Sequence, residues 1–283
     1  MENMQRAVIA GLMVAACLTS AAIAETRKEY HFTVAPRAGV TLDTQYGAIS
    51  VKAGAPGQVV VVATIQSDKS SVDVSHEGNR LEFESQLPKD ANEQTGRIDY
   101  EVTVPLGTSL LLRSSNGPIL AEKLQGDLSV EGASAPIQIH NVSHGHVHVK
   151  TMNGTVTLAD VNSAHVEITS ISGDVHLSSV SGPLVQVNSG SGKIYYDGDF
   201  GSGGDYNFST HTGDIEAMVA PDASADFTAH SMQGSVQSDV PLKPKDHTRF
   251  PVEVGRSFFG TVGKAASEVV LKSFSGKIRL KQR

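Results

Sequence analysis

The 283 residues are 39% apolar and 5% aromatic, with no tryptophan, one cysteine and a formal charge of −7 at pH 7. The acidic balance argues against a nucleic-acid partner, which calls for a basic face, and the shortage of aromatic rings argues against a base-stacking platform or a sugar-gripping enzyme cleft. One cysteine allows neither an internal disulfide nor a Cys-based zinc site.

Residues 1–24 read as a secretory signal peptide. Arg6 gives the basic start, residues 7–18 form an apolar run too short to cross a bilayer, and Ala22-Ile23-Ala24 is a small-x-small cleavage point before Glu25. A competing reading starts from Val14-Ala15-Ala16-Cys17, which resembles the lipobox of bacterial lipoproteins and would put a lipid anchor on Cys17. No later stretch is long and apolar enough for a membrane helix, so no transmembrane segment is expected in the mature chain.

Residues 25–113 are β-rich but irregular and are expected to form an N-terminal cap. Strands are read at 31–34, 40–46, 49–51, 59–65, 72–74, 81–83 and 100–104, with Glu77-Gly78-Asn79-Arg80 as a hairpin turn and 86–97 as an exposed polar loop. Within this region, Thr44-Gln45-Tyr46-Gly47-Ala48-Ile49 is an early copy of a motif that later dominates the chain.

From residue 114 to 283 that motif recurs as Ser/Thr-x-polar-Gly followed by alternating apolar residues, as in Thr151-Met152-Asn153-Gly154-Thr155-Val156-Thr157-Leu158. Its glycines are Gly117, Gly154, Gly173, Gly192, Gly213, Gly234 and Gly276, with Ala135 in the same slot. Steps of 19 and then 21 residues mark stacked coils. Each coil carries two short strands with one apolar face, which only stacking can bury. The expected fold is therefore all-β. It is a parallel β-solenoid of about 19–21-residue coils with an irregular β-rich N-terminal cap, and the crossover preference points to a right-handed β-helix. Ile137, Val156, Val175, Ile194, Ile215 and Val236 should form one inward column. The glycines are expected to take positive φ at the corners, with the Ser/Thr and Asn/Ser/Thr/Gln positions stacking as hydrogen-bonding ladders. The proline-rich stretch 241–251 should leave the array, and 255–266 is the one segment of doubtful type. Lys277, Arg279, Lys281 and Arg283 alternate on the last strand, as expected of a charged protected edge.

These repeats, behind a signal peptide, resemble the bacterial putative-adhesin family, envelope β-repeat proteins of unknown function related to autotransporter adhesin head domains. The resemblance spans nearly the whole mature chain. It implies an exported protein (periplasmic, outer-envelope or extracellular in a bacterium) that is no enzyme and needs no cofactor. It also implies partners among envelope or surface components, protein or polysaccharide, with self-association as a further option.

One cluster stands out from the coil register. His144, His146 and His148 alternate along one strand, with His165 beside His146 and Glu167 beside His148. Neutral imidazoles and a carboxylate suit zinc, copper or nickel, but a solvated strand face accounts for the same residues. Protonating all 11 histidines would move the formal charge from −7 to +4, so adhesion or self-association is expected to strengthen in mild acid. Asp197-Gly198-Asp199 followed by Gly201-Ser202-Gly203-Gly204-Asp205 has calcium-loop chemistry or is an enlarged turn. No Gly-x-Ser-x-Gly elbow and no paired-carboxylate arrangement is present. The readings in order are an adhesin or surface interaction module, a self-assembling envelope scaffold, and a polysaccharide-acting β-helix enzyme.

Overall fold

The structure is a computed structural model and describes residues 25–200, 203–244, 253–254 and 256–283. The signal peptide and Cys17 readings lie outside the described residues, as does most of 241–251. Among the described residues there is no helix, and the strands form two sheets of 12 and 13 strands. Each central coil gives one strand to each sheet. Val156–Asn162 pairs in parallel with Ile137–Ser143 and Val175–Ser181, while His165–Ser170 pairs with His146–Thr151 and Leu184–Ser189. Residues 19 apart are direct partners, as in Val156 with Val175 and Val166 with Val185. The chain is a β-solenoid.

Its core lies between the sheets. Val156, Leu158 and Val161 from one strand meet Val166 and Ile168 from the other, all at most 1% exposed. Leu158 and Val161 are three apart, which strict alternation would not put on one face. The residue between them resolves this. Asp160 has φ 55°, and Lys123, Asn141 and Ser179 hold the same bend in neighbouring coils at φ 55°, 55° and 53°. The ladder skips them, pairing Ala159 with Ser178 and then Val161 with Val180. Each is a bulge that resets which face points inward. All four are polar, and Asn and Asp tolerate this backbone region best.

The core widens where the step grows to 21. Tyr196, Phe200, Tyr206, Phe208 and Phe227 fill it, with ring centres about 5 to 6 Å apart. The Tyr196 hydroxyl lies 2.7 Å from the Val180 carbonyl and 2.9 Å from that of Asp199. Burial pushes the Tyr196 and Tyr206 phenols upward, and pushes Tyr100 up to about 12. A folded-state pKa above the unfolded value of about 10 stabilises fully below that value, and the contribution is lost as pH rises through the folded one. In a spectrophotometric titration all three should therefore ionise above the ordinary range near pH 10, Tyr100 only near pH 12, together with unfolding. Their ionisation near pH 10 in a still-folded chain would contradict the packing.

Both ends depart from simple chain order. Near the N-terminus, Gly39–Thr44 and Ile49–Ala53 form a true coil, paired in parallel with Ser109–Ser114 and Ile119–Gln125. The ladder thus already includes part of residues 25–113. The intervening chain adds Arg80–Gln86 and Ile98–Val104 on the other side of that coil. Thr26–Thr33, Gln58–Ile65 and Ser71–Glu77 then close the end in antiparallel fashion. The hairpin at Gly78 forms as expected, with φ 61°. Near the C-terminus, the strands Ser267–Ser273 and Lys277–Gln282 insert between the coil of Asp205–Thr210 and Ile215–Val219 and the coil of Ala225–Ser231 and Ser235–Ser238. The inward column therefore runs Ile215, Ile278, Val236, and not Ile215, Val236, Ile278 as the sequence order suggests. The doubtful segment 255–266 contributes Ser257–Val262, an antiparallel strand against Ala225–Ser231 that covers the edge of the end coil.

This insertion corrects the reading of the last strand as a charged edge. Lys277–Gln282 has a neighbour on each side, and its charges serve those neighbours. The Lys281 ammonium sits 3.1 Å from Glu216, the Arg283 guanidinium donates to Asp197, and the Lys277 backbone N–H donates to Asp214 at 2.7 Å. Asp197 is thereby engaged, and the loop after it carries Phe200 into the core. The enlarged-turn account of that loop fits better than a calcium site.

Candidate functional site

Alternation sends Val147 and Val149 into the core and leaves His146 and His148 on the outer face of the 13-stranded sheet. The parallel register places His146 beside His165 and His148 beside Glu167. The rings of His146 and His165 meet edge to face at 4.9 Å. Each of the strand's two histidines turns Nδ1 to a carboxylate. His146 lies 3.0 Å from Asp127, and His148 lies 3.4 Å from Glu167. That hydrogen bond holds the Asp127 carboxyl below its ordinary range. His144 is not on the face. It occupies a corner turn at φ 56°, matched by Ser163 one coil on at φ 55°. The patch is thus two imidazole–carboxylate pairs, with His165 edge-on and His144 apart. Among the described residues no three His, Cys, Asp or Glu side chains converge on a metal-sized point.

Asp127, His146 and His148 form one wall of a larger feature. A groove of about 500 Å³ runs across the same face. Its charged and imidazole lining is Glu77, Arg80, Glu82, Asp127, His146 and His148, with Leu111 among the apolar residues. Arg80 and Glu82 come from the N-terminal excursion, which stacks beyond the coil of residues 39–53. The sequence offered no local mark for them. Asp127 could have been found, since it lies 19 residues before His146, one coil step back. A second groove, of about 550 Å³, follows the edge of that sheet. It is lined by Asp43, Arg113, Glu131 and Lys150 on one side and by Met152 and Ile171 on the other. Arg113 bonds Glu131 at 3.0 Å and approaches Asp43 at 4.0 Å.

The corner motif is the third repeated feature. None of the seven glycines has a positive φ, contrary to expectation. They are required because the coils touch there. A Cβ on Gly173 would lie 1.9 Å from the Gly154 carbonyl oxygen, and one on Gly192 would lie 2.0 Å from that of Gly173. The Ser/Thr three residues earlier is buried and satisfies the tight turn. Ser189 Oγ accepts from the Gly192 N–H at 2.9 Å, and Ser273 Oγ accepts from the Gly276 N–H while donating to the Gly213 carbonyl of the adjacent coil. The expected ladder at the position before glycine is also present in places, with Ser172 Oγ 2.5 Å from Asn153 Oδ1. After Gly173, Gly192, Gly213 and Gly276 the exposed residue runs Asp174, Lys193, Asp214, Lys277 in stacking order, with uncharged Thr155 and Ser235 in the coils on either side.

Comparison with known proteins places this geometry. A family model described as Toastrack DUF4097 matches residues 38–281. No curated protein matches the chain. Among solved structures, the chain is similar to a putative cell adhesion protein of Clostridium sporogenes, at 14% identity and TM-score 0.33, over 91% of this chain and 100% of that one. A putative adhesin of Parabacteroides distasonis is similar at 12% identity and TM-score 0.37, over 91% and 97%. One from Bacteroides fragilis is similar at 12% and 0.34, over 90% and 97%.

Proposed function

This chain belongs to the Toastrack DUF4097 family, and from that premise we propose that it is a non-enzymatic interaction module of the bacterial cell envelope. In this reading it is an exported, adhesin-like β-solenoid whose outer groove engages a surface component, protein or polysaccharide. The observation that carries it is the groove on the 13-stranded sheet, where Arg80, Glu82, Asp127, His146 and His148 line an open, polar concavity on a rigid scaffold. Such a surface recognises by hydrogen bonds and charge. One of its carboxylates, Asp127, is already engaged by His146. A held-down Asp127 is an acceptor and a poor proton donor. The sequence-level leader at residues 1–24 supports export.

The test is direct binding. Labelled protein is applied to immobilised bacterial envelope preparations and to a polysaccharide array, in wild-type form, as Arg80→Glu/His146→Ala, and as Thr157→Glu on the outer face of the other sheet. The groove variant should lose binding about tenfold or more, since polar contacts in such surfaces are each worth about 1 kcal/mol or more. The Thr157 variant should bind as wild type. Equal loss in both, or in neither, rules out the groove as the recognition surface.

A further inference from the structure

The narrow edge that carries the corner glycines is exposed and carries apolar side chains in register. Met152, Ile171 and Met232 are 51%, 56% and 57% exposed, the largest such values among the described large apolar residues together with Leu106. Each follows the corner Ser or Thr of its coil. In stacking order this column reads Met152, Ile171, Gly190, His211, Phe274, Met232. His211 and Phe274 stack face to face with ring centres 4.7 Å apart.

We propose that this edge is the contact surface of a homodimer, in which a second copy of the chain lies antiparallel along it. The proposal does not rest on the adhesion reading, since a monomer could carry the groove equally well. Place a two-fold axis in the contact plane, across the stack, midway between the Gly190 and His211 coils. Each column then faces itself in reverse order. Met152 meets Met232 of the second copy, Ile171 meets Phe274, and Gly190 leaves room for the ring of His211. The column after the corner glycine obeys the same axis. Its alternating order, Asp174, Lys193, Asp214, Lys277, sets Asp174 against Lys277 and Lys193 against Asp214, and each pair occurs twice. The column before the glycine sets Ser172 against Ser275 and Asn153 against Gln233, hydroxyl to hydroxyl and amide to amide.

Other placements lose this match. An axis on the Lys193 coil or on the Asp214 coil brings like charges together. A shift by one whole coil halves the opposite-charge pairs and separates Met152 from Met232. A parallel arrangement sets Asp174 against itself and Lys193 against itself. An interface in which the same patch serves both copies is the rule for two-fold dimers, and charge alternation of this kind fixes register more than affinity. Six coils at about 4.8 Å make a strip about 25 to 30 Å long. That is narrower than the roughly 800 Å² per partner of standard stable interfaces, so the dimer should be reversible and concentration-dependent.

Disulfide trapping tests the register. The full chain carrying Cys17→Ser is prepared as two variants, Ser172→Cys and Ser275→Cys, both at exposed positions. In the proposed dimer, residues 172 of the two copies lie three coils apart, about 14 Å, well beyond the roughly 7 Å Cα separation a disulfide spans. Residue 172 of one copy, however, lies opposite 275 of the other. Mild oxidation of the mixture should give a covalent dimer at least about tenfold above either variant alone. Equal dimer from a single variant, or none from the mixture while both variants keep the native β spectrum, overturns the proposal. As a second readout, sedimentation of the uncross-linked chain at rising concentration should approach dimer mass, and Ile171→Asp should hold it at monomer mass. A wild-type monomer throughout the accessible range would refute it as well.

Discussion

Replacing Gly173 with alanine will destabilise the fold by about 3 kcal/mol or more, although alanine is ordinarily the better strand residue. The added methyl would sit 1.9 Å from the carbonyl oxygen of Gly154, a backbone atom of the coil beside it. Neither neighbour can move away. Gly173 is itself the contact for Gly192, whose own Cβ would lie 2.0 Å from it. Relief would have to spread along the whole corner, and overpacking that forces backbone shifts lies at the upper end of core substitution costs. Gly107 provides the control. Its φ of 81° favours glycine, but an added Cβ there meets nothing within 4 Å. Gly107→Ala should cost only the left-handed backbone penalty, about 1 to 2 kcal/mol. Urea unfolding with an unchanged slope measures both. A smaller loss for Gly173→Ala than for Gly107→Ala would mean that conformational freedom, and not coil contact, is what the corner demands.

That contrast marks how far the sequence could be read. The 19- and 21-residue steps between glycines gave the coils, and the Val/Ile/Leu alternation gave their inward columns, because both are periodic and local. The pairing of His146 with His165 and of His148 with Glu167 followed from the same step. The reason for the glycines did not, since a positive φ and a close backbone approach select the same residue. The bulges at Lys123, Asn141, Asp160 and Ser179 were also hidden, as no single residue type marks them. Arg80 and Glu82 reach the groove through an excursion with no repeat of its own, so no spacing pointed to them. Where long-range stacking decides, residues of one column are chemically interchangeable, and local pattern cannot order them.

The order of the last coils is the sharpest case, and a pair of alanine substitutions decides it. Stacked in chain order, Val236 would be an interior residue and Ile278 would belong to the final, open coil. In the observed order the coil of Ile278 lies between those of Ile215 and Val236. Ile278 is fully buried, whereas Val236 is only partly so and sits in the outermost strand of its sheet. Ile278→Ala removes apolar volume from a site closed on both sides and should cost about 2 to 5 kcal/mol. Val236→Ala removes it from a site that water already reaches, and should cost about 1 kcal/mol or less. The difference also bears on folding. The coil of 225–238 can complete its pairing only after the last 17 residues have threaded between it and its predecessor, so the chain terminus must arrive before the end coil is secured. If the two midpoints reverse, with Val236→Ala the costlier change, the coils stack in chain order and the insertion is wrong.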